Sequence, residues 1–246
     1  MTAVRSASRS RGVRERARVA MTAEIMDTAR AHLAADGAAA LSLRAIAREL
    51  GMSSSAVYRY VASRDDLLTA LIVEAYDSLG AFVEAAEASH PREDHPGRFR
   101  AVARAVRRWA VENEHEYALV YGSPVPGYSA PETTVGPATR VPTLLVAIIL
   151  DALATGWEPD DLTDLPDEVS ACLGPVRDSF RRDGTEVPAD LVARGLMAWT
   201  YLFGAVSFDL FGHRHNVITD ERAVSNPFFE HEVDRLIRLV GFEVEA

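Results

Sequence analysis

Apolar residues recur every three or four positions along all the long segments of this chain, and no segment shows the alternation typical of a strand. This spacing places the apolar residues on one face of an α-helix. The first such pattern runs from Met21 to Leu33 and is followed by Gly37, which favours helix termination. We therefore predict an all-α fold.

Two short helical patterns come next, and a much longer one follows them. Ser42 is a good N-cap for the first, and Gly51 follows it as a left-handed stop. Ser53 is the corresponding cap of the second. Ser63 and Asp66 have the spacing of a capping box, which opens a helix that extends to Ala88. Two short helices joined by a glycine turn predict a helix-turn-helix, followed by a long connecting helix.

The charge of the chain is divided unevenly along its length. Residues 1–64 hold 11 Arg and 5 acidic residues (+6), whereas residues 65–246 hold 15 Arg and 31 acidic residues (−16), which together give the net charge of −10. A basic first quarter on an acidic body is typical of a nucleic-acid-binding module. Codon preference is an alternative reason for the use of Arg without any Lys.

Other protein classes are disfavoured by the sequence. A single cysteine, Cys172, excludes an internal disulfide and a four-cysteine zinc site, and favours the cytoplasm. The apolar stretch Val141–Leu150 is too short to span a bilayer, so no membrane partner is expected. No phosphate loop, nucleophile elbow or paired-carboxylate site is present. We expect no enzymatic activity, no cofactor and no metal site.

The polar face of the second short helix suits DNA. Ser53, Ser54 and Ser55 place hydroxyls and backbone N–H groups at the positive helix end, where a phosphate or a base edge binds. Tyr58, Arg59 and Tyr60 add phosphate donors and a guanidinium. A purely structural role for each serine and tyrosine is the alternative. Residues 1–20 are predicted to form a flexible basic arm, either on DNA or simply solvated.

Several of these segments also carry a family resemblance. They are Gly37, Ser42–Ala47, Gly51–Ser53, Val57–Tyr60 and Ser63–Leu67. Their combined spacing, over residues 21 to about 70, resembles the DNA-binding signature of the TetR family. A weaker resemblance, over Glu116–Tyr128 and Phe208–Gly212, is to an actinobacterial-type subgroup of that family.

The resemblance implies a dimeric transcriptional regulator, usually a repressor that a small molecule releases from its operator. It implies DNA contacts from Ser42 and Arg44 near the start of the second helix. It also implies that Ser54, Ser55 and Arg59 face the groove of DNA. Tyr58, Tyr60 and Arg64 are then expected to hold phosphates. The chain departs from the usual pattern at Ser55, Val61 and Arg64. Val61 fills less space under the recognition helix than the usual aromatic residue does.

The segment 191–211 is apolar nearly all round, with Arg194 and Asp209 as its only charged residues. A helix of this kind is buried on all sides, so one face can cover its own core and another a second copy of the chain. The core of a monomer is the alternative. The residues expected at the dimer interface are Leu191, Leu202, Val206, Leu210, Val233 and Ile237.

Aromatic residues in the second part of the chain suggest a ligand cavity. The candidates are Trp109, Tyr117, Tyr121, Tyr128 and Phe180, for which simple core packing is the alternative. Five prolines between residues 124 and 142 predict a loop over 122–141.

The sequence therefore predicts three parts: an arm (1–20), a helix-turn-helix domain (21–68) and a helical domain for ligand binding and dimerisation (69–246). Its expected partners are a palindromic double-stranded DNA operator, a second copy of the chain and an unknown small-molecule effector. Alternatives are an activator or ligand-independent regulator with the same DNA contacts, and a helical adaptor.

Overall fold

The computed structural model describes residues 2–180, 187–218 and 226–244, with residues 2–14 and Phe180 described by backbone alone. Within these ranges the chain forms α-helices, two short 3-10 helices and no β-strand, which confirms the predicted all-α fold. The α-helices are α1 (Thr2–Asp36), α2 (Leu43–Glu49), α3 (Ser54–Val57), α4 (Arg64–Glu87), α5 (His95–Glu112), α6 (Glu114–Tyr121), α7 (Val135–Ala138), α8 (Arg140–Ala154), α9 (Asp167–Phe180), α10 (Ala189–Leu210) and α11 (Pro227–Val240).

The chain divides into two compact units. Unit 1 comprises Met1–Ala75 and His115–Val135, and unit 2 comprises Tyr76–Glu114 and Gly136–Ala246. The boundary therefore falls inside α4 rather than at residue 68/69. The segment with α6 belongs to unit 1 because Leu119, Val125 and Tyr128 pack against the core of that unit.

The core of unit 1 collects the apolar faces of its short helices. Ile25, Ile46, Val57, Leu67 and Leu68 are all completely buried in it. Helices as short as α2 and α3 are unstable alone, so this shared core holds them in place.

Two segments differ from the prediction. Helix α1 begins at Thr2, so residues 2–20 have helical backbone where a flexible arm is predicted; this segment contains no proline and is rich in Ala and Arg, which favour helix. Part of the predicted loop 122–141 is also helical. Pro142 lies in the first turn of α8, where the missing N–H would have no helical partner.

Unit 2 is built around α5 and α10. Helix α5 packs against α8, α10 and α11, and α10 also contacts α8, α9 and α11. The buried charges in this unit are paired: the fully buried Arg98 donates to Glu87 (2.6 Å) and Asp151 (2.7 Å).

By length and composition, α10 could cross a membrane, the only single helix among the described residues to meet that criterion. Its side chains favour a place in a protein core instead. Arg194 donates to Asp190 within the helix (2.9 Å) and to Asp161 (2.7 Å), and Asp209 pairs with Arg107 (3.3 Å).

Candidate nucleic-acid interface

Backbone and capping hydrogen bonds define the helix-turn-helix. Ser42 Oγ accepts from the backbone N–H of Ala45 (3.4 Å), which confirms it as the N-cap of α2. Gly51 has a φ of +64°, a left-handed conformation that glycine adopts without strain. The N–H of Met52 donates to Ala47 O (2.8 Å) and that of Gly51 to Arg48 O (3.2 Å), which completes a Schellman turn.

Helix α3 is shorter than expected, but its helical turn continues beyond Val57. The N–H groups of Arg59, Tyr60 and Val61 donate to Ala56 O (3.2 Å) and to Val57 O (2.9 and 3.1 Å). Ser53 occupies the N-cap position, yet its hydroxyl contacts Ser55 Oγ (3.1 Å) instead of a backbone N–H.

The outer face of this element carries most of the residues expected to contact DNA. Arg44, Ser53, Ser54, Ser55 and Arg59 are exposed, and Tyr58 has 46% of its surface accessible. The adjacent Val57 is completely buried, so this exposed face is held by a fixed core residue. Ser42 is half-buried in its capping role. This surface presents hydroxyl donors and the guanidinium groups of Arg44 and Arg59, which suits contacts to phosphates and base edges.

Two residues expected to hold phosphates have structural contacts instead. Arg64 donates from Nε to Leu41 O (3.0 Å) and from Nη2 to Ala38 O (2.9 Å) and Ala39 O (3.1 Å). These bonds satisfy carbonyls of the 3-10 turn between α1 and α2. Tyr60 is half-buried and packs against the core of unit 1. Sequence spacing alone does not reveal these contacts, because the partners of Arg64 lie more than 20 residues away.

The start of α4 has the predicted capping arrangement. Ser63 Oγ accepts from the N–H of Asp66 (3.0 Å) and donates to Asp66 Oδ2 (2.8 Å). The orientation of α4 behind the turn is therefore specified by local side chains.

Comparison with known proteins identifies the family. Residues 25–71 match the bacterial regulatory proteins of the tetR family, and residues 99–236 match the tetracyclin repressor-like C-terminal domain. The second match alone covers more than half of the 246 residues. The chain belongs to the TetR family.

Relatives extend over most of the chain. The HTH-type transcriptional regulator Rv1816 of Mycobacterium tuberculosis is 43% identical over 219 residues, which are 87% of this chain and 91% of the relative. The crystal structure of the regulatory protein SCO4313 shares 35% identity and superposes with a TM-score of 0.71, covering 91% of this chain and 98% of that one. A TetR-family regulatory protein from Rhodococcus RHA1 (20% identity, TM-score 0.59, 91% and 98% covered) shares the fold.

These matches are to transcriptional regulators and not to enzymes, and this TetR-family chain is a helix-turn-helix DNA-binding regulator. The described residues contain no group of three or more His, Cys, Asp or Glu side chains placed to hold a metal ion.

The residues expected at the dimer interface lie elsewhere in this TetR-family fold. Each is at most 5% exposed within the single chain, so each packs in the core of unit 2 and is inaccessible to a partner: Leu191, Leu202, Val206, Leu210, Val233 and Ile237. Because α10 is apolar on nearly all its faces, its sequence does not show which face is internal.

A different face of α10 is exposed. It carries Met197 (50% exposed), Tyr201 (47%), Phe208 (52%) and Phe211 (39%). Their spacing of four, seven and three residues places them on one stripe of the helix. On α11, Phe228 and Leu239 are also exposed. We call Met197, Tyr201 and Phe208 of α10, together with its C-cap Phe211, the exposed stripe.

The aromatic residues expected to line a ligand cavity are divided between the two units. Trp109 is buried, with its Nε1 donating to Ser78 Oγ (3.0 Å) in unit 2. Tyr117 packs against Tyr121 (4.9 Å between ring centroids), and Tyr128 Oη contacts Thr69 Oγ1 (2.9 Å), all within unit 1. The side chain of Phe180 lies outside the described residues.

Unit 2 nevertheless contains an apolar pocket, between α5, α8, α9 and α10. The pocket has a volume of about 70 Å³. The lining is Phe99, Pro142, Leu145, Val146, Ile149, Val176, Val187, Leu191, Val192, Gly195, Leu196 and Trp199. One feature of the sequence could have indicated this pocket. Gly195 and Trp199 are four residues apart on α10, so a residue without a side chain lies next to an aromatic ring.

Proposed function

We propose that this regulator is a homodimeric repressor that binds a palindromic operator and is released by a small molecule bound in unit 2. The observation that carries the proposal is the exposed face around α3. Arg44, Tyr58 and Arg59 project from a capped helix-turn-helix in a chain of the TetR family. Because its target is DNA, we infer that the regulator acts in the cytoplasm.

The exposed stripe supports the homodimer. A contiguous apolar surface exposed to water marks an interaction site. In a dimer with two-fold symmetry, the stripe of one chain can pack against the same stripe of the other chain. A dimer also doubles the contacted bases, with half-sites about 34–36 Å apart along the DNA. The six buried residues named above are not part of this interface.

The pocket of unit 2 supports release by a small molecule. A ligand lowers DNA affinity when it binds better to a conformation in which the two reading helices do not fit successive half-sites. Helix α4 begins in unit 1 and ends in unit 2, so it is one covalent route between the two binding events.

A promoter fusion tests the sign of regulation. We expect a reporter driven by the regulator's own upstream region to rise in activity when the gene is deleted, and to fall when the wild-type gene is returned. The gene carrying Arg59→Ala serves as the matched control and should fail to restore repression. A fall in reporter activity on deletion would identify an activator and overturn the repressor proposal.

A further inference from the structure

The pocket of unit 2 has one polar feature. Among the described residues, Nε1 of Trp199 is the one buried side-chain nitrogen or oxygen that has no hydrogen-bond partner. Trp199 lies on the pocket wall, while the exposed stripe lies on the opposite side of α10. An indole N–H is a donor only, so an acceptor is what it lacks.

An unpaired buried donor is unfavourable, and native proteins rarely retain one without a reason. Trp109, in the same unit, shows the ordinary solution, since its Nε1 donates to Ser78. Trp199 has no such neighbour because the pocket around it is lined by aliphatic and aromatic groups. A ligand acceptor that reached this nitrogen would satisfy the donor.

The lining also specifies the charge of the ligand. The lining residues that the structure describes carry no ionisable side chain. A carboxylate or an ammonium group placed there would lose its hydration without a compensating partner, which is strongly unfavourable. A hydrocarbon body, in contrast, would gain from removal of its surface from water.

We propose that this pocket is the effector site and that its ligand is an uncharged, mainly hydrocarbon molecule with one acceptor oxygen, which Trp199 Nε1 hydrogen-bonds. The inference rests on the proposed function, because it names the ligand class for the release step.

Gly195 sets the room available beside Trp199. A methyl group added at Gly195 would meet Ile149 Cδ1 at 3.6 Å, an ordinary contact that fills space without a clash. Gly136, in α7, has no atom within 4 Å of such a methyl and does not line the pocket. The pair Gly195→Ala and Gly136→Ala therefore separates pocket filling from the general effect of alanine in a helix.

The probes are 2-nonanone, an uncharged ketone, and nonanoate at pH 8, a charged molecule of the same carbon number. Binding to the full-length protein is measured by isothermal titration calorimetry. We expect the ketone to bind and nonanoate to bind at least tenfold more weakly. Loss of one neutral hydrogen bond in Trp199→Phe should weaken ketone binding by about fivefold.

Trp157→Phe is the matched control for the tryptophan substitution, since Trp157 packs on Phe242 (4.5 Å between centroids) outside the pocket. It should leave ketone affinity unchanged, as should Gly136→Ala, whereas Gly195→Ala should weaken it. Thermal unfolding of each unliganded variant confirms that the fold is retained. No ketone binding, equal binding of nonanoate, or equal affinities of Trp199→Phe and Trp157→Phe would overturn the pocket assignment.

DNA affinity measured in the same samples separates this inference from the proposed function. If the ketone binds as expected and also weakens operator binding, both stand. If the ketone binds with the expected variant pattern but operator affinity is unchanged, the ligand class stands and release by that ligand fails. If operator binding is intact and the ketone does not bind, the ligand class fails and the DNA-binding function stands.

Discussion

Unit 1 and unit 2 carry their functional groups in opposite places. In unit 1 the candidate DNA contacts, such as Arg44, Tyr58 and Arg59, project outward from short helices held by an apolar core. In unit 2 the apolar pocket and the charge pairs Arg98–Glu87 and Arg107–Asp209 lie in the interior. An outward surface serves a rigid polyanion, whereas an interior void serves a small apolar molecule.

Substitutions on the outer face and in the interior should therefore change different properties. A change on the outer face of unit 1 should alter DNA affinity and leave the free energy of unfolding unaffected. A change inside either unit should alter stability first. The exposed stripe of unit 2 is the exception, because it is outward and apolar, and it should control association alone.

The largest effect is expected from charge on the exposed stripe. The double substitution Met197→Arg and Phe208→Arg removes four apolar contacts from a two-fold dimer. At about 1.5 kcal/mol or more for each, the dimer should dissociate roughly ten-thousandfold more readily. Sedimentation velocity over a range of concentrations measures the shift to monomer.

Val111→Arg with Val169→Arg is the control for the stripe. Both valines are about as exposed (42% and 43%) and belong to unit 2, but they lie on α5 and α9. This control should remain dimeric. A stripe variant that also stays dimeric at low concentration would contradict the assigned interface.

The second effect concerns DNA. Replacing Tyr58 and Arg59 with Ala should weaken specific DNA binding by on the order of 100-fold, because a good base contact contributes about 1–3 kcal/mol. The free energy of unfolding should not change, since both side chains are exposed. Arg108→Ala, an exposed arginine of unit 2, is the control and should bind DNA normally. Equal affinities of the two variants, by fluorescence anisotropy, would remove these residues from the interface.

The third effect is expected on the free energy of unfolding and not on DNA affinity. Arg64→Ala removes three hydrogen bonds to the turn before α2, so we expect a loss of about 2 kcal/mol in the free energy of unfolding. Arg64→Lys should retain part of this stability, because a lysine makes fewer of these bonds. If urea denaturation shows wild-type stability for Arg64→Ala while DNA affinity falls, Arg64 is a phosphate contact, as the family resemblance implies.

The smallest effect comes from an exposed pair on unit 2. Arg140 donates two hydrogen bonds to Glu84, from Nε (2.9 Å) and from Nη2 (2.7 Å). They lower the pKa of that carboxyl below its usual value. Its stabilising contribution is therefore present above the unfolded pKa and is lost as the pH falls through the folded pKa. Since water screens the pair, Glu84→Gln should cost about 0.2–1 kcal/mol at pH 7. Denaturation at both pH 7 and pH 3 should show a smaller loss at pH 3; an equal loss at both would assign the effect to packing.

Local signals predicted much of unit 1. Ser42, Gly51 and the pair Ser63–Asp66 act on backbone groups within a few residues, so their spacing determines the structure that they form. The contacts of Arg64 within the protein could not be predicted in this way, because its partners are distant in the sequence.

Unit 2 was harder to predict, since α10 is apolar on every face. Periodicity does not distinguish the core, represented by Leu202, from the exposed stripe. The aromatic candidates failed for the same reason: Tyr117 and Tyr128 belong to unit 1, and only tertiary packing determines that.

A titration of the regulator against fragments of its own upstream region, at several salt concentrations, tests the central claim most directly. We expect the protein to bind one fragment specifically, as a dimer. Its affinity should fall steeply as the salt concentration rises, because several phosphate contacts release counterions. Loss of this specific binding in the Tyr58→Ala, Arg59→Ala variant would assign it to the face around α3. Weak binding that is the same for every fragment, in wild type and variant alike, would contradict the claim that this face reads DNA.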